Sequence, residues 1–190
     1  MNMQIDRMYF PVTTLGYGRR LGIWTIGCPR RCEGCSNPEL QVTDPTRNVS
    51  VGDVIALAKR YIGEADGVTI TGGEPFFQPE ELYGLLSGLR EIGYSDILIY
   101  TGFAIEELYE RGEVYSDALA LAGVVIDGEY IPSLDDGKGI RGSSNQRIHI
   151  LNPALAERYA DADYCKRESV IVNSGGHIMT IGIPDFRKDK

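Results

Sequence analysis

Hydrophobic residues in this chain occur in short runs, separated by longer stretches in which they recur with helical spacing. The short runs are aliphatic and rich in β-branched residues, which is typical of buried strands. The stretch 79–92 instead places leucines three or four positions apart, as on one face of a helix. Strands that alternate with helices predict βαβ units and a mainly parallel sheet.

The predicted elements follow this alternation, and glycine or proline ends several of them. The predicted strands are 20–26, 67–70, 97–100, 124–126 and 147–151. The predicted helices are 51–62, with Ser50 as N-cap, then 79–92, 104–110, 116–122 and 153–160. The segment 169–183 predicts a hairpin with its turn at 173–176.

The length of 190 residues limits the fold. A closed eight-unit β/α barrel needs roughly 250 residues, whereas five or six strand-helix pairs of about 30 residues each fit the chain. We therefore predict an α/β fold: a partial, open β/α barrel of about five to six mainly parallel strands. Since no linker-like stretch divides the chain, residues 1–190 are expected to form a single domain with the hairpin as a C-terminal extension.

Composition and charge exclude several kinds of partner. The 19 basic and 27 acidic residues give 19 − 27 = −8, and no basic patch is present, so neutralisation of nucleic-acid phosphates is not expected. The sequence has no apolar run of about 18 residues and no signal-peptide pattern at its start, which predicts a cytoplasmic protein without membrane contact. Four cysteines in such a protein point to metal binding or catalysis rather than to disulfides.

Candidate functional residues follow the predicted strands. Ligands of open α/β sheets gather at the carboxyl ends of the strands. Four loops have that position, namely those that contain Cys28, the segment 71–75, Thr101 with Gly102, and Asp127. We expect them to converge on one site.

The strongest chemical signal is CPRRCEGC, which places Cys28, Cys32 and Cys35 within eight residues. Three thiolates from one tight loop leave a bound metal ion or cluster with an open coordination position, which suits chemistry better than structure. A structural zinc site with His149 or His177 as fourth ligand is the alternative. Cys165 has no neighbour at metal-ligand spacing and is interpreted as a small buried apolar residue.

The cysteine loop resembles the cluster loop of radical S-adenosylmethionine (radical SAM) enzymes, and Thr-Gly-Gly-Glu-Pro at 71–75 resembles the second motif of that family. The resemblance implies that Cys28, Cys32 and Cys35 hold three irons of a [4Fe-4S] cluster whose fourth iron binds SAM. Gly72, Gly73 and Glu74 would then contact the SAM amino group. Independently of the resemblance, glycines at a strand end let backbone approach a charged ligand closely.

Further segments resemble a narrower group, the activating proteins of anaerobic (class III) ribonucleotide reductases. These segments are 16–20 (GYGRR), 126–128 (IDG) and 141–147 (RGSSNQR), and the resemblance covers about residues 10 to 151. Gly34 also fits this group, since many other radical SAM enzymes have an aromatic residue there. Ser36 departs from it, because an aromatic residue is common at that position.

Several polar residues are candidates for SAM binding on this resemblance. Arg141, Ser143 and Asn145 offer hydrogen-bonding groups on a glycine-flanked loop, which without the resemblance would be interpreted as solvated surface. Thr101 either contacts SAM or ends its strand. No catalytic side chain is expected beyond the cluster and SAM.

The resemblance implies an oxidoreductase that activates a glycyl radical enzyme. The reduced cluster would pass one electron to the sulfonium of SAM, releasing methionine and a 5′-deoxyadenosyl radical that takes a hydrogen atom from a glycine Cα of the partner. The implied partners are an anaerobic ribonucleotide reductase and, as electron donor, flavodoxin or ferredoxin. The alternatives are a radical SAM enzyme that modifies a small molecule or peptide, and a non-catalytic zinc-binding interaction module.

Overall fold

The computed structural model describes residues 1–174 and 177–183, and within these residues seven strands form one sheet. The strands are β1 (Asn2–Val12), β2 (Arg20–Thr25), β3 (Asn48–Ser50), β4 (Gly67–Gly72), β5 (Ile97–Tyr100), β6 (Val124–Asp127) and β7 (Arg147–Ile150). Their order across the sheet is β3-β1-β2-β4-β5-β6-β7. In the described residues β3 and β7 do not pair with each other, so the sheet stays open.

The centre of the sheet is parallel and its flanks are antiparallel. The strands β2, β4, β5 and β6 run parallel, while β1 and β7 run antiparallel to β2 and β6. Nearly every residue of the four central strands is buried, as expected for strands that are covered on both faces. The predicted α/β fold class is therefore confirmed, with seven strands instead of five or six.

Helices α1 (Val51–Lys59), α2 (Pro79–Glu91), α3 (Ile105–Glu110) and α4 (Glu113–Leu121) pack on one face of the sheet. In α2 the buried leucines are spaced by three and four residues, which gives one apolar stripe toward the strands: Leu82, Leu85, Leu86 and Leu89. The sequence predicts all four helices. Ser50 precedes α1 as predicted but makes no side-chain capping bond. No helix of the described residues is long and apolar enough to cross a membrane.

The predicted helix at 153–160 is wrong. Only Pro153–Leu155 forms a short 3-10 helix, and turns follow it. The carbonyls of Ala162 and Cys165 accept hydrogen bonds from Ile140 and Gly139, and Tyr159 is buried against β5 and β6. Contacts with the rest of the chain thus replace a regular helix here.

The predicted hairpin is confirmed as β8 (Ser169–Ser174) and β9 (His177–Gly182), paired antiparallel. Its predicted turn includes residues 175 and 176, which lie outside the described residues. Ile181 is 1% exposed and packs with Val12, Leu15 and Trp24. The hairpin therefore covers part of the sheet next to the carboxyl ends of the strands.

A buried ion pair lies at the amino ends of the central strands β2 and β5. Arg20, at the start of β2, is fully buried and its Nη2 is 3.0 Å from Oδ1 of Asp96. The guanidinium also donates to Oγ1 of Thr69 and to the carbonyls of Tyr17, Val68 and Asp96. Such a charge is tolerated in the core because nearly all of its donors have acceptors.

Candidate functional site

A cavity opens at the carboxyl ends of β2, β4, β5 and β6, as the sequence predicts. Its volume of about 210 Å³ is several times the roughly 30 Å³ that one water molecule occupies, so it is large enough for a ligand. Residues from each of the four predicted loops line it: Cys28, Cys32, Cys35, Thr71, Gly72, Gly73, Glu74, Thr101, Gly102 and Gly128. The fourth loop contributes Gly128, because the Asp127 carboxylate accepts hydrogen bonds from Ile105 and Arg147 on the other side.

The glycine loop after β4 packs directly on the backbone of the preceding loop. The N–H of Gly73 donates to the carbonyl of Thr25, and the N–H of Glu74 donates to the carbonyl of Gly27, each at 2.8 Å. A Cβ on Gly72 would lie 2.5 Å from both N and O of Thr25, and a Cβ on Gly73 would overlap the Gly27 carbonyl. The sequence predicts that these glycines admit a close ligand, whereas their closest approach is to backbone.

Gly72→Ala is expected to destabilise the protein by two separable effects. Gly72 has a φ of +109°, which costs an alanine about 1–3 kcal/mol, and the overlap with Thr25 adds about 1–3 kcal/mol. Gly93→Ala is the matched control, because Gly93 has a φ of +110° and a Cβ added there would meet no atom within 4 Å. Urea unfolding of both variants separates the overlap from the strain, and equal losses would show that the overlap is relieved at no cost.

Glu74 is 1% exposed, and its carboxylate joins the glycine loop to the loop after β5. Its Oε1 accepts from Phe76 N and from the Thr101 hydroxyl, at 3.0 and 2.8 Å, and its Oε2 accepts from Gly102 N at 2.7 Å. Burial raises the pKa of Glu74 to about 6, although the hydrogen bonds from these donors and the positive charge of Arg30 lower that pKa. The Thr101 hydroxyl, which also accepts from Phe103 N, is thus committed to holding Glu74 in place.

The three cysteines are partly buried and face the same cavity. Backbone hydrogen bonds from Gly27 and Cys28 to the carbonyls of Leu40 and Gln41 hold the start of their loop. Burial raises the pKa of Cys28 to about 11, and burial followed by the charge of Glu129 raises the pKa of Cys32. Gly34 has a φ of +68°, a left-handed conformation that glycine adopts without a Cβ penalty.

Three residues predicted to bind a cofactor do not line the cavity in the described part of the chain. Arg141 forms ion pairs with Asp136 and Asp163, each at 3.1 Å. The hydroxyl of Ser143 accepts from Ile131 N, and the side-chain amide of Asn145 donates to the Glu129 carbonyl. These contacts shape the 141–147 loop, whose lining residues are Gly142 and Gln146.

Several residues that line the cavity are absent from the sequence-predicted set. Among them are Arg30, Tyr130 and the end of the hairpin, Thr180 to Ile183. The position of Arg30 between two cysteines of the motif is a sequence signal that could have identified it. No sequence signal identifies the hairpin residues, because the hairpin reaches the site only by folding back across the sheet.

Of the two histidines considered for a zinc site, His149 is not brought to the cysteines. His149 lies on β7 with Nε2 3.1 Å from the Asp127 carboxylate, and it does not line the cavity. The side chain of His177 lies outside the described residues. No group of three or more His, Cys, Asp or Glu side chains within the described ranges is arranged around a single ion. Cys165 is half-buried beside β5 and β6.

Comparison with known proteins adds a family and several relatives. The model of the 4Fe-4S single cluster domain family matches residues 14–149. The anaerobic ribonucleoside-triphosphate reductase-activating protein of Enterobacteria phage T4 is 32% identical over 153 residues, which is 77% of this chain and 93% of that protein. The pyruvate formate-lyase-activating enzyme of Staphylococcus aureus (strain USA300) is 28% identical over 188 residues, 93% of this chain and 68% of that enzyme. The crystal structure of QueE from Escherichia coli aligns with a TM-score of 0.48 and 23% identity, over 64% of this chain and 69% of that one.

Proposed function

Because this chain belongs to the family of 4Fe-4S single cluster domains, we propose that it is an activase that installs a glycyl radical on an anaerobic ribonucleotide reductase. The chain is a radical SAM enzyme, and its cofactors are a [4Fe-4S] cluster and SAM, as the sequence motifs imply. The observation that supports the partner most directly is the similarity to the phage T4 activating protein, which extends over 93% of that protein.

The residues of the cavity fit these cofactors. Three thiols from one loop face a shared cavity, and thiolates are the usual ligands of iron–sulfur clusters. The same cavity contains a buried carboxylate, Glu74, for a cationic group and a buried arginine nitrogen, Nε of Arg30, with no acceptor among the described residues. The donor set therefore matches a cluster together with a ligand that carries both charges, as SAM does.

Each part of the site has a role in this proposal. Cys28, Cys32 and Cys35 hold the cluster and lose their thiol protons as they bind it. Glu74 and the backbone of Gly72 and Gly73 orient the amino group of SAM, and Thr101 positions Glu74. When bound, the cluster and SAM supply the one-electron cleavage that starts radical chemistry, and the chain supplies orientation.

Residues beyond the cavity lining shape the site indirectly. We propose that Arg141, Ser143 and Asn145 hold the 141–147 loop in place, so that Gly142 and Gln146 face the ligand. Gln146 connects this loop to β6, since its side chain donates to the Gly128 carbonyl and accepts from Gly142 N.

The proposal also includes the domain organisation, the location and the electron donor. A single radical SAM domain in residues 1–190, acting in the cytoplasm, receives its electron from a reduced flavodoxin or ferredoxin. The partner's glycine must reach the cavity at the carboxyl ends of the central strands, where β9 and Tyr130 form part of the wall.

Electron paramagnetic resonance tests this function. The reconstituted protein is incubated without oxygen with SAM, a reductant and an anaerobic ribonucleotide reductase from the same source, and a glycyl radical doublet is expected. Omitting SAM is the control and should remove the signal. Cleavage of SAM without a doublet on the reductase would reject this partner and favour a radical SAM enzyme with another substrate.

A further inference from the structure

The cavity contains an unusual pair of charges. Among its described lining residues, the carboxylate is Glu74 and the basic side chain is Arg30; the others are thiols, hydroxyls, amides and apolar groups. Glu74 lies on the glycine loop and Arg30 lies between Cys28 and Cys32, so the two charges approach the cavity from different loops. A ligand with one cationic and one anionic end matches this arrangement.

The guanidinium of Arg30 is fixed by two carboxylates and an aromatic ring. Its Nη2 is 3.0 Å from Glu107 and its Nη1 is 3.5 Å from Glu129, and the group lies 4.8 Å from the ring centre of Phe103. The two carboxylates are about half exposed, at 50% and 47%, so solvent screens their charge. These contacts hold the side chain in place at the wall of the cavity, which Arg30 lines.

One donor of Arg30 is not used by these contacts. Its Nε is buried and has no hydrogen-bond partner among the described residues. The aliphatic part of the side chain passes against Gly102, where a Cβ would lie 2.9 Å from Cδ of Arg30, and Gly102 N is bonded to Glu74. A buried donor without an acceptor is costly, and an acceptor supplied by a ligand removes that cost.

The neighbouring Arg31 differs in every one of these respects. It is exposed, it does not line the cavity, and its Nη1 donates to backbone carbonyls of Cys28, Arg30 and Gln41. The same loop therefore contains one arginine that faces the cavity and one that faces solvent, which gives a matched pair for mutation.

We propose that Arg30 is a specificity-determining residue that binds the carboxylate of the methionine part of SAM, donating from Nε. This inference rests on the proposed function, since it requires that SAM occupies the cavity. Glu74 and Arg30 then recognise the two charged ends of one amino acid moiety, and a ligand without the carboxylate loses the contact with Arg30.

Equilibrium dialysis of the reconstituted protein, without oxygen, against SAM and against decarboxylated SAM tests the proposal. Arg30→Gln is expected to weaken SAM binding by about 10- to 100-fold, the range for a hydrogen bond between charged groups, and to change binding of the decarboxylated ligand by less than about twofold. Arg31→Gln should leave both affinities unchanged. Iron content, measured on every variant, verifies that the cluster is loaded.

If Arg30→Gln weakens binding of both ligands equally, Arg30 has a role in loop structure and the proposal is overturned. Unchanged binding of SAM by Arg30→Gln would also overturn the proposal. If Arg30→Gln does not fold, Arg30→Lys gives the same comparison, because lysine keeps the positive charge but places its donor elsewhere. An unaltered preference for SAM over the decarboxylated ligand in Arg30→Lys would then overturn the proposal. Failure of the wild-type protein to bind SAM would instead reject the proposed function itself.

Discussion

Cys28→Ala, Cys32→Ala and Cys35→Ala are each expected to abolish SAM cleavage, with a loss of more than about 100-fold. Each thiol comes from one short loop and faces the same cavity, so the two remaining thiols hold an iron–sulfur cluster poorly. The measurement is release of 5′-deoxyadenosine under reducing, oxygen-free conditions, together with iron content and visible absorbance after reconstitution.

Cys165→Ala is the matched control for these variants. Cys165 is partly buried beside the C-terminal turns and lies away from the cavity that the other three share. It should retain the wild-type iron content and nearly the wild-type rate. Full cleavage activity in any variant of the triplet would contradict the assignment of the cysteines, whatever the partner protein is.

Arg20→Met is expected to lower the free energy of unfolding by about 3–5 kcal/mol, the usual cost of removing one partner from a buried ion pair. The substitution leaves the Asp96 carboxylate, which is 2% exposed, without its closest buried cation. It also leaves the carbonyls of Val68 and Asp96 without the donor Nη2. Urea denaturation of the protein before cluster loading measures the loss directly.

Arg19→Met tests whether position rather than charge determines this effect. Arg19 is adjacent in sequence but exposed, and its guanidinium lies 4.9 Å from the ring centre of Phe10. Its replacement should cost less than about 1 kcal/mol. Similar losses for the two variants would contradict a special role for the buried pair.

The central strands are predictable because their signal is local. A run such as Ile97–Tyr100 is continuously apolar and is followed by Thr-Gly, and its observed bounds equal the predicted ones. The cysteine and glycine motifs follow β2 and β4, so the sheet rules place them at one edge without further information. The convergence of the four loops is therefore accessible from sequence.

The flanking strands are not predictable in the same way. In β1, Asp6, Arg7 and Pro11 interrupt the apolar pattern, and most of its residues are only partly buried. The pairing of β1 with β2 is also irregular, since the register shifts at two places along the pair. β3 has three residues and pairs with β1, so its existence depends on a strand that the pattern does not reveal.

The roles of individual polar residues depend on partners distant in the chain. Arg141 is bound by Asp163 from the turns near the C-terminus, and Arg167 donates to the carbonyls of Arg141 and Gly142. Neither contact has a sequence spacing that predicts it. Motif resemblance therefore identifies the right loop at 141–147, while the geometry determines which of its residues face the cavity.

The partial exposure of the three cysteines has a consequence for handling of the protein in air. Dioxygen is a small molecule, so a cavity with partly exposed cysteines does not keep it away from iron that the thiolates bind. Oxidation would release the metal and leave three neighbouring thiols free to form sulfenic acids and mixed disulfides. Air exposure should therefore inactivate the protein through its cysteine loop while the sheet beneath stays folded.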